Sequence, residues 1–232
     1  MLKNMDINGL LLVDKPNGMT SHDVIDILRA KLNIKKIGHA GTLDPEATGL
    51  LLVLISKAAT KKASSFSGLD KTYEVRLTLG VKTDTADHTG KIITEKKVAG
   101  YSKKQIDEAF EQFQGETQQV PPMVSAKKVG GKKLYELARK GISIERQPQK
   151  IIISSLHISK IDLPHIYFTL LCSKGTYVRT LCEEIGEVLG CGAYMNGLRR
   201  LGVGDYIVTE AIKVENIKQC KAAQILSRLI KI

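Results

Sequence analysis

Cysteine is scarce in this chain of 232 residues. The four present, Cys172, Cys182, Cys191 and Cys220, form no Cys-x-x-Cys pair. That spacing points neither to a zinc ribbon nor to a dense disulfide framework. Reduced thiols in a cytoplasm are the simplest account, with Cys182 on the apolar face of a predicted helix. Long apolar runs are missing too, so no segment reaches the length of a membrane span. The start, Met1 to Asp6, carries no signal-peptide core or cleavage site. None of the five histidines pairs at metal-ligand spacing, and no glycine-rich loop has Walker or Rossmann spacing. Internal repeats and low-complexity linkers are absent. Acidic residues are in deficit, 24 against 35 Lys and Arg, giving a net charge of +11. The isoelectric point is near 9.4. Such a surplus suits a polyanionic partner, of which nucleic acid is the usual one, although a merely basic soluble surface carries the same number.

What remains is a folded chain with 43% hydrophobic residues, long enough for one large or two small domains. Gly9 to Asp14 and Leu50 to Ile55 read as apolar strands. Ser21 to Asn33 reads as a helix capped by Thr20 or Ser21, with Val24, Leu28 and Leu32 four apart. Thr72 to Leu79 alternates, with Tyr73, Val75, Leu77 and Leu79 on one face. Ser102 and Gln105 are spaced as a capping box for a helix to Phe113, whose inward stripe is Ile106, Ala109, Phe110 and Phe113. A short helix is expected from Lys132 to Lys140, stopped by Gly141. Strands follow at Ile151 to Ile161 and Ile166 to Cys172. A helix spans Tyr177 to Leu189, a strand lies near Tyr206 to Thr209, and a helical stretch runs from Lys221 to Lys231. Helices and strands mix without regular alternation, so the expected class is α+β on a mixed, mostly antiparallel sheet, in one domain over residues 1–232.

One string stands apart. Gly38-His39-Ala40-Gly41-Thr42-Leu43-Asp44-Pro45-Glu46-Ala47-Thr48-Gly49 sets a single carboxylate, Asp44, among small and turn-forming residues just before the apolar run. Pro45 biases Asp44 toward extended backbone. Glycines let the chain pass close to a bulky partner. An acid fixed on such a loop suits a nucleophile or a base, though an isolated Asp-Pro is ordinarily just a polar turn.

The whole string, Gly-His-x-Gly-x-Leu-Asp-Pro-x-Ala-x-Gly, resembles the catalytic motif of the TruB-type tRNA pseudouridine synthases. Four further blocks match in family order. They are Lys15-Pro16-Asn17-Gly18-Met19-Thr20-Ser21; Lys71-Thr72-Tyr73 with Thr83-Asp84-Thr85-Ala86-Asp87 and Gly90; Pro121-Pro122 with Ser125-Ala126, Gly131 to Tyr135 and Ala138 to Gly141; and Cys172 to Arg179 with Leu198-Arg199-Arg200. The resemblance implies the pseudouridine synthase fold, with a central cleft flanked by helices. It implies isomerisation of uridine at position 55 in the T-arm loop of tRNA. The target base must leave the stack before any atom on it can react.

Residue by residue, the resemblance makes Asp44 the carboxylate, attacking ribose C1′ or removing the C2′ proton. It pairs Arg179 with Asp44, for which a bidentate guanidinium is suited. It stacks Tyr73 on the uracil, where core packing is the plain reading of an alternating aromatic. His39 would fill the gap left by the flipped base. Lys15 would take a structural or substrate-contacting role near Asp44, and Tyr177 would pack beside Arg179 and touch the surroundings of the target nucleotide. Leu198-Arg199-Arg200 would reach phosphates, with a solvated basic turn as the alternative. Residues 115–150, with Lys127-Lys128, Lys132-Lys133 and Arg139-Lys140, resemble a thumb that closes on RNA; a solvated basic loop is the alternative. Asp84 and Asp87 suggest turn chemistry over a two-metal nuclease.

No metal and no cofactor are expected, and the partner is tRNA without DNA or membrane, bound by a monomer in the cytoplasm. A non-catalytic RNA-binding module would be expected to lose Asp44. An RNA-guided relative inside a larger complex is the other enzyme reading, against which the long basic insertion weighs. Glu183-Glu184 stands where the family often has Asp, and Tyr206 where it often has Phe. Only about two dozen residues follow Tyr206, too few for a separate C-terminal RNA-binding domain.

Overall fold

The computed structural model describes residues 7–98, 100–125, 127–138 and 140–232; of Lys128, Lys132, Lys133 and Tyr135 it describes the backbone alone. Ala126 and Arg139 of the third block therefore lie outside the described residues. The chain begins β1 (Gly9–Lys15), α1 (Ser21–Leu32), β2 (Ile37–Ala40), β3 (Thr48–Ile55), α2 (Lys57–Lys61), α3 (Ala63–Ser67) and β4 (Lys71–Leu79). It continues with β5 (Val81–Thr83), β6 (Ile92–Glu95), α4 (Lys103–Glu111), β7 (Gly115–Gln119), β8 (Lys128–Val129), β9 (Lys132–Lys133) and α5 (Leu134–Ala138). It closes with β10 (Gln149–Asp162), β11 (His165–Cys172), α6 (Val178–Val188), β12 (Ala193–Val203), β13 (Tyr206–Ile207), β14 (Ile212–Lys213), α7 (Val214–Gln219) and α8 (Ala222–Leu226). This is an α+β chain built on a mixed sheet. Its contacts group into two compact units, residues 1–73 with 198–232, and residues 74–197.

In the first unit β3 is the organising strand. It pairs antiparallel with both β1 and β2, and parallel with β12 at Arg199 and Arg200. Its apolar run divides by period two, because successive strand side chains point to opposite faces. Leu51, Val53 and Ile55 join one core with Val24, Ile25, Leu28 and Leu32 of α1 and with Ile217 and Ile225 near the C-terminus. Leu50, Leu52 and Leu54 join the other with Leu10, Leu12 and Ala59. A continuous apolar run is what a strand buried on both faces requires. Helix α1 carries the capping box of Thr20 and Asp23 and ends on Asn33 in the left-handed conformation.

In the second unit β10 pairs antiparallel with β7 and β11. Helix α4, capped by Ser102 and Gln105 as expected, lays Ile106, Ala109 and Phe110 inward. Phe110 meets Phe168 of β11 edge-on, with ring centroids 5.2 Å apart. Helix α6 buries Val178, Leu181, Cys182 and Ile185. The free thiol of Cys182 is fully buried, and that burial pushes its pKa up.

Three expectations need correction. Lys132 and Lys133 start no helix: they form β9, which pairs with β8 across Gly130 and Gly131, and α5 is only five residues long. Both glycines have positive φ, which a two-residue hairpin turn demands. Leu198-Arg199-Arg200 is no basic turn but the middle of the eleven-residue β12. The stretch after Lys221 holds a five-residue helix, and α7 before it had no clear sequence signal.

Candidate active site

Asp44 sits in the connection between β2 and β3, whose strands are in register from Ile37 opposite Ile55 to Ala40 opposite Leu52. Both ends of its loop are thereby fixed. The peptides around it are then tied down one by one. Ser21 Oγ, buried, accepts from Leu43 N at 2.9 Å and donates to Leu43 O at 3.1 Å. Ala47 N closes a turn on Asp44 O at 3.1 Å. Pro45 O accepts from Gly18 N at 3.0 Å and from Lys15 Nζ at 3.0 Å. Asn17 Nδ2 donates to Glu46 O at 3.3 Å. Leu43 anchors the loop in the core at 3% exposure, while Asp44 itself is exposed.

Two buried cations do much of this holding. Lys15 is fully buried, and its ammonium spends its three donors on Pro16 O, Met19 O and Pro45 O at 2.9, 2.6 and 3.0 Å. Burial lowers its pKa to about 8, against the opposing pull of Glu46 and Asp44. Arg200, 1% exposed, donates Nε to Leu50 O at 2.7 Å, Nη2 to Gly41 O at 3.1 Å and Nη1 to Thr42 O at a longer 3.5 Å. The Tyr73 phenol interacts electrostatically with the same guanidinium. Gly49 makes this geometry possible, because a Cβ there would meet Arg200 O at 2.2 Å. Where the sequence suggests a phosphate contact, the Arg200 side chain is thus a buried brace of the Asp44 loop. Arg199, too, is engaged within the fold: its fork grips Asp14 at 3.0 and 2.8 Å.

Tyr73 lies on the buried face of β4 at 9% exposure, as its alternation implies. His39 is on β2, half-buried. Burial, Arg200 and His22 lower its pKa, which favours the neutral imidazole. Its Nδ1 is buried with no hydrogen-bond partner among the described residues.

In the second unit Arg179 occupies the first turn of α6, and Nη1 lies 3.3 Å from Asp87 Oδ2. Both side chains are nearly buried, at 8% and 11% exposure. The other carboxylate oxygen of Asp87 accepts from Thr85 Oγ1, Thr89 N and Thr89 Oγ1 at 2.8, 3.0 and 2.6 Å. The turn chemistry expected of Asp87 is present, but its role as a partner of Arg179 escaped the sequence reading. Tyr177 is the residue before α6, half-buried, and its N and O are both bonded by the Gln119 amide. A cavity of about 380 Å³ is lined by Ala86 and Thr180, the sequence neighbours of this pair, together with Glu183 and Arg146. Lys132 and Lys133 are placed by backbone only. Among the described residues no three His, Cys, Asp or Glu side chains gather to hold a metal.

A sequence model described as TruB family pseudouridylate synthase (N terminal domain) matches residues 29–178, and one described as tRNA pseudouridylate synthase B C-terminal domain matches residues 179–231. The residues after Tyr206 therefore belong to a segment that the C-terminal model recognises. The chain is 48% identical to tRNA pseudouridine synthase B of Alkaliphilus oremlandii over 212 residues, covering 91% of this chain and 70% of that one. It is 44% identical to the protein of that name in Opitutus terrae over 227 residues, covering 98% and 94%. Among solved structures it superposes on "Crystal Structure of a Cbf5-Nop10-Gar1 Complex" with a TM-score of 0.70 at 25% identity. That match covers 91% of this chain and 54% of the other, so this chain spans about half the solved one.

The α+β fold is therefore that of a pseudouridine synthase, an isomerase. Within that class the chain belongs to the TruB family of pseudouridylate synthases.

Proposed function

We propose that the chain converts uridine to pseudouridine in tRNA, at position 55 in the T-arm loop, acting as a cytoplasmic monomer without a cofactor. The shared name of its relatives supports tRNA as the substrate. The observation that carries the reading is the Asp44 loop, whose backbone is held on both sides of an exposed acid. In the reaction the C1′–N1 bond breaks, the base turns, and C5 bonds to C1′. C5 then loses its proton and N1 gains one, so there is no net oxidation.

Asp44 either attacks C1′ or removes the C2′ proton; both routes need the carboxylate ionised. Arg179 is the cation assigned to keep it so, with Asp87 holding the guanidinium from its own unit. Tyr73 offers a face on which the freed uracil can turn, because stacking tolerates in-plane rotation. Neutral His39 fills the place of the flipped base, and Tyr177 borders the target nucleotide. Lys15, Arg199 and Arg200 act by setting the loop and its strands. Phosphate contact falls to the insertion, including Lys132 and Lys133.

The test is tritium release from C5-labelled uridine in a T-arm stem-loop. Wild type should release it, Asp44→Ala should not, and a stem-loop with cytidine at position 55 should give none. Release by Asp44→Ala would remove Asp44 from the chemistry. Tyr73→Phe should bind RNA normally and turn over slowly; equal rates would remove the phenol from proton transfer.

A further inference from the structure

The basic insertion leaves the sheet at Gln119, the last residue of β7, and returns at Gln149, the first of β10. These two glutamines are cross-strand partners. Gln119 is 1% exposed, and its amide is used twice on one residue. Nε2 donates to Tyr177 O at 3.2 Å, and Oε1 accepts from Tyr177 N at 2.8 Å. Gln149 Nε2 donates to Gly175 O at 2.6 Å, and its Oε1 accepts from Lys127 Nζ, inside the insertion, at 2.8 Å. A Cβ on Gly175 would lie 3.2 Å from that same Nε2, and φ there is +84°. Both roots of the insertion thus grip the backbone of the 175–177 turn. That turn launches α6, and Arg179 is the second residue of α6.

We propose that Gln119 and Gln149 are positioning residues that tie the insertion to Arg179. RNA held by the insertion then sets the two glutamines, the glutamines set the 175–177 turn, and the turn sets the guanidinium. The proposal rests on the reading above, in which the insertion grips RNA and Arg179 serves the reaction. Buried amides also have a plain reason to be satisfied, since an unpaired one is costly. Satisfaction alone does not require that both roots of one insertion choose the same turn.

The experiment uses the full chain with Gln119→Met and Gln149→Met, each alone and combined with Arg179→Lys. Methionine keeps the volume and removes the amide. Binding and single-turnover tritium release are measured with the T-arm stem-loop. Gln119→Met should lower the saturated rate by at least about ten-fold, since small misplacements of a reacting group are costly. Binding should stay within about three-fold, the range for an unaltered set of phosphate contacts. Added to Arg179→Lys, Gln119→Met should cost less than about two-fold more, because groups acting as a unit are not additive. Gln149→Met, at a half-exposed site that tolerates change, should lower the rate by about three-fold with the same non-additivity.

Rates within two-fold of wild type, or losses that multiply fully with Arg179→Lys, overturn the proposal. If Gln119→Met fails to fold, Gln149→Met decides by the same two criteria. Asp44→Asn is run alongside. Should it turn over, the functional reading fails; should it be inactive while the losses multiply, the coupling alone fails.

Discussion

The Asp44 loop and the basic insertion are built in opposite ways. Around Asp44 a short loop is braced by the interior of the fold: Lys15, Ser21 and Arg200 are all buried and all bond loop backbone. In the insertion Val120, Val124, Val129 and Ile142 are exposed, at 42%, 39%, 38% and 46%, while Leu134 is buried. The first arrangement fixes an acid before any substrate arrives, which is how a site avoids reorganisation during reaction. The second leaves apolar side chains facing outward, and suits a surface that takes its form against a partner. In the proposed reading the first serves the chemistry and the second the grip on RNA.

Asp44→Asn should separate them most sharply. The single-turnover rate should fall by at least about a thousand-fold, as when a reacting group is removed, with RNA binding retained. Filter binding beside tritium release checks it. Arg200→Met comes next. It strips hydrogen bonds from the carbonyls of Gly41, Thr42 and Leu50, and should cost about 3 kcal/mol of stability, read by urea unfolding. A loss below about 1 kcal/mol would make the brace incidental.

The order in which these features became visible follows from their physics. The run Leu50 to Ile55 and the alternation from Tyr73 to Leu79 were legible because burial imposes a period on a strand. The boxes at Thr20 and Ser102 were legible because a cap needs particular side chains at fixed offsets. Strand β12 was not. Its two glycines and two arginines break every apolar pattern, and Arg200 is buried only because distant carbonyls satisfy it. Asp44 stood out as a motif, yet the brace around it came from Lys15, Ser21 and Arg200, far apart in sequence. Asp87 read as a turn residue because its turn bonds are local, whereas its bond to Arg179 spans 92 positions. The glutamine pair at the insertion's root had no signal, since cross-strand register is a tertiary fact.

A smaller effect concerns Lys15. Its folded pKa of about 8 lies below the ordinary 10.5. Between those values the unfolded chain holds a proton that the folded chain has shed, so this residue makes stability rise with pH, and the gain is lost as pH falls through about 8. Wild type should therefore gain stability relative to Lys15→Met between pH 8 and 10, by at most about 1.4 kcal/mol per pH unit. Parallel urea midpoints for the two proteins would remove the shift. Smallest is the insertion's own prediction. Changing Lys127, Lys128, Lys132 and Lys133 to Gln should lower the log–log salt slope of RNA binding by about 0.7 to 0.9 per lost phosphate contact. The saturated rate should change little; a collapsed rate with an unchanged slope would make the segment part of the active site. Lys127 should contribute least, because its ammonium already bonds Gln149.

Hydrogen exchange with and without the T-arm stem-loop tests the contrast most directly. The amides of Gly18, Leu43 and Ala47 donate to the clamped loop and its brace. They should be protected in the free protein and unchanged by RNA, while amides across residues 120–148 should exchange fast alone and gain protection on binding. A loop over residues 41–47 that exchanges freely until RNA arrives, beside an insertion already protected without it, would contradict the account.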